Sequence, residues 1–243
     1  AQDFSIVIES PDPAAISTYS PGLAVCPSGR LVATMDFGKT APEYARRNGL
    51  EPWRCRGRIF VSDDKGKTWT AKADVPFQHE RPFVAGDSLY VLGHAGDLAI
   101  VRSDDWGETW SPPARLTEGE SWHQAPCNVH YANGCLYLVM EKNSARRVRG
   151  WDVSELAPVL MRGRIGADLT RPENWTFASE LPFCKAVPDT QLDWIGAPFF
   201  PAMYPEPYTE TPNRSCAPIG WLETNVVQFS DPDHVWHDPT DRT

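Results

Sequence analysis

Several short polar runs in this chain carry side chains that can move protons, pair with anions or stack on rings. His79 and Arg81 lie in Gln78-His79-Glu80-Arg81, His94 in Gly93-His94-Ala95-Gly96, and Trp122 and His123 in Trp122-His123-Gln124. Arg54 belongs to the loop EYARRNGLEPWRCRGR, Glu141 closes an apolar run, and Trp221, Glu223 and Asn225 lie together in Trp221-Leu222-Glu223-Thr224-Asn225. This mixture suits an acidic sugar: tryptophan stacks on a ring face, arginine pairs with a carboxylate, and histidine moves a proton near neutral pH. His123, His94 and Glu141 are the candidate catalytic residues. His79, Arg81, Arg54, Trp122, Trp221, Glu223 and Asn225 are the candidate substrate-binding residues.

The elements between these runs alternate with period two, the mark of half-buried strands. Gly22–Cys26, Arg30–Met35, Arg58–Val61 and Thr70–Ala73 make a first set of four. Pro82–Val84, Ser88–Leu92 and Leu98–Val101 begin a second. A third holds Cys127–Tyr131, an Asn133-Gly134 hairpin turn, Cys135–Met140, Pro158–Arg162 and Asn174–Phe177. Equivalent tryptophans, Trp69, Trp110 and Trp175, lie 41 and 65 residues apart, the excess falling mainly in the loop from Asn143 to Ala157. Units of about forty residues with four strands each predict an all-β fold, a β-propeller of four-stranded blades. Blade 1 is expected over about 19–75, blade 2 over 82–116 and blade 3 over 126–181, with a long connection over 182–224 and the start of a fourth blade over 225–243. Propellers close with roughly 4–8 blades, so the chain is expected to be the N-terminal part of a larger ring.

One eight-residue turn is repeated: Ser62-Asp63-Asp64-Lys65-Gly66-Lys67-Thr68-Trp69 returns as Ser103-Asp104-Asp105-Trp106-Gly107-Glu108-Thr109-Trp110. The aspartates Asp64 and Asp105 suit carboxylates that accept backbone N–H groups within the turn. Gly66 and Gly107 suit a positive φ, and Trp69 and Trp110 suit packing between blades. The turn is therefore read as structural, since catalytic carboxylates have no reason to recur with their whole turn at blade spacing. If it joins the third and fourth strands of a blade, the links between strands two and three, and between blades, emerge on the opposite face. Three of the six histidines (His79, His94 and His123) fall there, from adjacent blades. A single histidine is more often an exposed or structurally satisfied residue than a catalyst; together they mark a site.

Composition narrows the function. A formal charge of −9, with 23 basic against 32 acidic residues, lacks the broad cationic surface that nucleic acid requires. No apolar run reaches the length of a membrane span, and the first ten residues do not have the pattern of a signal peptide. The six cysteines form no C-x-x-C pair, so no zinc site is expected, and Cys26, Cys127 and Cys135 read as small buried hydrophobes. No oxygen cage for calcium is evident, so no metal or cofactor is assigned. No heptad points to an oligomer, and a monomer is expected.

The repeated S-x-D-x-G-x-T-W turn resembles the Asp-box of the sialidase/neuraminidase superfamily, the BNR-repeat propellers. The segments WHQAPCNVHYANGCLYLVME, DLTRPENWTF and GWLETNVV resemble the branch that holds rhamnosidases acting on rhamnosyl-glucuronate linkages and uronate-specific lyases. Sialidases carry an Arg-Ile-Pro motif before the first propeller strand; the corresponding place here reads Tyr19-Ser20-Pro21-Gly22, without the arginine. The resemblance implies a secreted or periplasmic carbohydrate-active enzyme with a histidine-centred site, His123 first and His94 next. An exo-acting glycoside hydrolase on a terminal sugar of an acidic glycan is the leading expectation. A uronate-specific lyase of the same fold, and a non-catalytic glycan-binding or scaffolding propeller, are the alternatives.

Overall fold

The computed structural model describes residues 4–13, 16–38, 56–143, 153–186 and 220–237. Arg54, expected to bind substrate, lies outside the described residues, as do Cys55 and Cys216. The chain divides into two compact units, residues 1–126 with 168–173, and residues 127–167 with 174–243.

The first unit contains two antiparallel four-stranded sheets, each paired in chain order. One holds β1 (Ser17–Val25), β2 (Leu31–Gly38), β3 (Arg56–Ser62) and β4 (Thr70–Val75). The other holds β5 (Gln78–Ala85), β6 (Ser88–Ala95), β7 (Asp97–Ser103) and β8 (Ala114–Arg115). The two-residue β9 (Trp122–His123) follows. The second unit holds a sheet path of β10 (His130–Ala132), β11 (Cys135–Asn143), β12 (Leu156–Arg164) and β13 (Trp175–Ala178), again in chain order. Consecutive, antiparallel, four-stranded sheets are the blades of a β-propeller, the all-β class expected from the period-two pattern.

In the first unit, the pleat sends Val32, Ile59 and Val61 of one blade and Leu89, Val91 and Val101 of the next into a shared core with Cys26, Val75 and Phe77. Each fully buried aliphatic or aromatic side chain contributes about 1.5–3 kcal/mol relative to exposure, so this inter-blade layer stabilises the junction of the two sheets. Cys26 is buried as expected, and burial pushes its thiol pKa up. Cys127 and Cys135 are only half-buried.

Several strands run further than their apolar residues indicate. β5 starts at Gln78 and β6 runs to Ala95, so His79, Glu80, Arg81 and His94 belong to strands and not to links. Trp122 and His123 likewise form β9. The polar ends of β1 and β5 are bulged: the register shifts between Tyr19 and Gly22 and between Gln78 and Arg81, with Ser20 and His79 at φ 50° and 57°. Such bulges hide strand ends from a two-residue period. Residues 225–229, read from the sequence as the opening of a fourth blade, form no strand. Their backbone binds a side chain instead: Asn128 Nδ2 donates to Val226 O at 2.5 Å, and Val226 N to Asn128 Oδ1 at 3.3 Å. A strand needs a backbone ladder.

The repeated turns join β3 to β4 and β7 to β8, and their side chains are consumed internally. Asp64 accepts from Thr68 N at 2.9 Å, Thr68 Oγ1 at 2.6 Å and Ser62 Oγ at 2.8 Å, while Gly66 N donates to Ser62 Oγ at 2.8 Å. Asp105 repeats this with Thr109 N at 2.8 Å, Thr109 Oγ1 at 2.5 Å and Ser103 Oγ at 2.8 Å. Gly66 and Gly107 adopt φ 85° and 96°. Trp69 folds back to donate its indole N–H to Gly66 O at 3.0 Å, and Trp110 packs against the inter-blade core. Arg30 then joins the two turns, 2.6 Å from both Asp63 and Glu108.

The Thr68 and Thr109 hydroxyls, with the backbone N–H bonds, hold the Asp64 and Asp105 carboxyls at a pKa of about 2. A carboxyl depressed in the folded state stabilises above its ordinary pKa of about 3.9 and loses that contribution as pH falls through the folded value. Asp64→Asn and Asp105→Asn should therefore lower the thermal midpoint at pH 7, and the deficit should shrink between roughly pH 4 and pH 2. Melting curves across that window check this; a deficit independent of pH would show that the charge is irrelevant to the turn.

Candidate functional site

His79, His94 and His123 converge in the first unit. The ring centroids of His79 and His94 are 4.9 Å apart, those of His79 and His123 5.3 Å, and those of His94 and His123 6.1 Å. Tyr19 meets His79 edge-on at 6.3 Å. His94 is 2% exposed and lies deepest, whereas His79 and His123 are half-buried at the surface.

The fold delivers these rings by one repeated device. Counting five residues from Leu31, Leu89 and Leu136 in the second strand of each blade reaches Asp36, His94 and Glu141, all buried. At Asp36, the bulge of the next blade's first strand directs the His79 N–H onto both carboxylate oxygens, at 3.0 and 3.1 Å. Within the second unit, Glu141 does the same for Thr224, accepting its N–H at 3.0 Å and its hydroxyl at 2.8 Å, next to Glu223 at φ 53°. The second blade carries His94 at this position in place of a carboxylate. Its Nε2 lies 2.9 Å from His79 Nδ1.

Two residues that the sequence reading did not single out complete the cluster. Asp36 and Glu80 are fully buried. Asp36 is also 3.8 Å from His79 Nε2. Glu80 fits because its neighbours are glycines. Asp36 pairs in register with Gly57, where a Cβ would lie 1.8 Å from Glu80 Oε1. A Cβ at Gly22 would lie 2.5 Å from Glu80 O, the oxygen that accepts the Thr34 hydroxyl at 2.6 Å. The available signal was the repeat itself: aligned at their leucines, the second strands place Asp36 opposite His94.

Electrostatics assign protons within this group. Burial, reinforced by the like charges of His79 and His123, pushes the His94 pKa well below the ordinary histidine value. A neutral His94 that offers its Nε2 lone pair can accept the Nδ1–H of His79. Burial raises the Asp36 carboxyl to about 6, against the opposing pull of the His79 N–H. The cluster thus contains a proton-holding carboxyl, a neutral inner imidazole and two outer imidazoles, an arrangement able to take up and release protons at the surface.

The other expected site residues are placed as follows. Arg81 is 2% exposed and donates to Ala125 O at 3.3 Å, a buried structural position. Trp122 is also buried, its indole N–H bonded to Glu120 at 3.0 Å, so its ring is not a free stacking platform. In the second unit, Trp221 donates to Leu181 O at 3.1 Å and meets Phe183 edge-on, and Asn225 Oδ1 accepts from Asn128 N at 3.0 Å. Glu223 is exposed. Among the described residues, no group of three or more His, Cys, Asp or Glu side chains is arranged to hold a metal ion. No helix among them is long and apolar enough to cross a membrane.

No family model and no curated protein matches this chain. Solved structures resemble it in fold. The Penicillium chrysogenum α-L-arabinanase aligns at 18% identity over 67% of this chain and 49% of its own, with a TM-score of 0.43. An α-L-arabinofuranosidase from Lactobacillus brevis aligns at 18% identity over 72% and 58%, TM-score 0.49. A Hadza microbial sialidase aligns at 17% identity over 67% and 37%, TM-score 0.44. The chain therefore spans about half the length of the structures it resembles, and likenesses this distant assign no chemistry.

The depressed pKa of His94 gives a direct check. Its folded value lies below the ordinary 6.5, so its contribution to stability is full above about 6.5 and is lost as pH falls through the folded value. In a titration followed by imidazole nitrogen chemical shifts, His94 should remain neutral at a pH where an ordinary histidine is protonated. Protonation of His94 at or above pH 6.5 would contradict the assignment of the inner ring.

Proposed function

We propose that this chain contributes to a carbohydrate-active enzyme that cleaves glycosidic linkages, with His123 and His79 moving the proton and His94 holding both rings. The observation that supports this reading is the convergence of three imidazoles from the strands β5, β6 and β9, two of them reaching the surface and one buried. The Asp-box turns and the segment Trp122-His123-Gln124-Ala125-Pro126 support it further through their resemblance to the sialidase superfamily. Exo-acting hydrolysis of a terminal sugar on an acidic glycan is the first form of the reading. There, a protonated outer imidazole gives its proton to the leaving oxygen as the glycosidic C–O bond breaks, water adds to the anomeric carbon, and the proton that this water sheds returns to the imidazole. A secreted or periplasmic setting goes with such a substrate.

Uronate elimination is the second form, favoured by the full burial of Asp36 and Glu80. A two-carboxylate glycosidase separates its acid from its partner by about 5–5.5 Å when retaining and 6.5–9.5 Å when inverting. Asp36 and Glu80 are both fully buried, so neither is open to flank a sugar as such a pair does. In elimination, an outer imidazole takes the proton at C5 of the uronate, the C4–O bond breaks with its electron pair leaving on oxygen, and a proton completes the departing hydroxyl. A cation beside the carboxylate stabilises the carbanion-like intermediate.

His123→Ala should lower turnover of a uronate-containing oligosaccharide by roughly 10²–10⁴-fold with an unchanged melting curve. Absorbance of an unsaturated uronate in the product selects elimination; saturated product selects hydrolysis. Undiminished cleavage by the variant would remove His123 from the chemistry. Glycan binding without cleavage by the wild type would leave the chain as a binding propeller.

A further inference from the structure

We infer that a cleft beside the second repeated turn is a binding site for one neutral sugar unit, with Arg102, Asp104 and Asp168 as its polar contacts. The inference goes beyond the proposed function, because the ligand follows from the lining of the cleft itself and no bond is broken there.

The cleft has a volume of about 520 Å³, within the roughly 300–1,000 Å³ of small-molecule sites. Its walls all belong to the first unit: the end of β7, the turn and the start of β8, and the segment 168–173. The histidines lie at the other end of the same sheet. His94 pairs with Leu98 at the start of β7, whereas Arg102 pairs with Tyr90 near its end.

The doubled turn provides an internal comparison. The residue before its serine is Val61 in the first copy and Arg102 in the second, so the turn folds without a guanidinium at that place. At the first turn, Arg30 closes on two carboxylates, 2.6 Å from both Asp63 and Glu108. At the second, Arg102 Nε donates to Asp104 at 2.7 Å, while its far nitrogen stands 3.5 Å from Asp168. This clamp is tight on one side and open on the other, and all three residues line the cleft.

These groups are fixed in advance. The Ser88 hydroxyl donates to Asp104 at 2.7 Å, and Thr170 donates its N–H and its hydroxyl to Asp168 at 3.1 and 2.7 Å. Leu169 between them is fully buried, and the guanidinium carbon of Arg102 lies 6.0 Å from the centre of the Tyr90 ring. Groups already held this way lose little freedom when a ligand arrives.

The lining sets the class of ligand. An ionised carboxylate only accepts and a guanidinium only donates, so an occupant must offer donors and acceptors side by side, as the adjacent hydroxyls of a sugar do. One guanidinium against the three carboxylates Asp104, Asp105 and Asp168 leaves the cleft anionic. Ser88 and Arg102 hold the Asp104 carboxyl below its ordinary pKa. A uronate would meet this excess of like charge and a neutral sugar does not. Trp110, Pro112 and Ala114 add apolar surface for the C–H face of a ring.

The test is binding to the whole chain and needs no turnover. D-glucose, D-galactose and L-arabinose are titrated in turn to about 100 mM, enough to fill a site of millimolar affinity, with D-glucuronate as the acidic counterpart. At least one neutral sugar should shift the Trp110 indole N–H and the Ala114 and Thr170 amides saturably, and D-glucuronate should bind about tenfold more weakly or worse. Arg102→Val, which copies the first turn, and Asp168→Ala should each weaken that binding by about tenfold or more, the size expected for losing a charged hydrogen-bond partner. Should one variant fail to fold, the other decides; should both fail, the wild-type titrations decide. No saturable shift with any of the neutral sugars would overturn the inference, as would unchanged affinity in a folded variant or tighter binding of D-glucuronate. Calcium that moves the same signals when the sugars do not would mark a cation site and overturn it too.

Discussion

The bond from the His79 N–H to the Asp36 carboxylate is the constraint on which the site depends. A bulge in the first strand of a blade turns one backbone N–H out of its ladder, and leaving such a donor buried without a partner costs about 1–3 kcal/mol. The acceptor is supplied by the second strand of the preceding blade. Once Asp36 captures the bulge, the His79 side chain is fixed at the blade junction, and β6 and β9 bring His94 and His123 against it. Glu141 and Thr224 make the equivalent bond without histidines, so the capture of the bulge is a structural rule and the imidazole cluster is a departure from it. That departure occurs where the second blade carries His94 instead of an acid.

Close approach of backbones makes the departure feasible. β1 crosses β5 at Gly22, β3 leaves room for Glu80 at Gly57, and β6 passes Phe77 and Gln78 at Gly93, where a Cβ would lie 2.5 Å from both. Tight strands exclude water, and exclusion of water gives the cluster its proton chemistry: it raises the Asp36 carboxyl and lowers the His94 imidazole in the same small volume. The repeated turns at the other end of the blades make the opposite choice. Their aspartates, Asp64 half-buried and Asp105 exposed, accept several donors and are held ionised. Two sets of acidic residues in one fold therefore serve different purposes, set by whether the carboxyl meets donors at the surface or is buried in the core.

Much of this was legible in the sequence. The period-two runs, the tryptophan spacing and the doubled turn located the sheets and identified which aspartates are structural. The position of the doubled turn within each blade separates His79, His94 and His123 from the other three of the six histidines. Bulges defeated the boundaries, because a positive φ at His79 or Ser20 interrupts alternation without altering composition. Asp36 and Glu80 escaped notice for a different reason: each is an ordinary polar residue by type, and its meaning comes from packing between blades. Arg81 and Trp122 read as surface groups by type, yet their bonds to Ala125 and Glu120 hold them inside. Side-chain chemistry indicates what a residue can do, and burial decides whether a substrate can reach it.

The most direct test of this account is hydrogen exchange at the His79 amide. If Asp36 captures the bulge, that amide exchanges slowly in the wild type, alongside the core of β5 and β6, and becomes fast in Asp36→Ala while the amides of Val91 and Leu92 remain protected. Rapid exchange in the wild type, or protection that survives the loss of the Asp36 carboxylate, would contradict it.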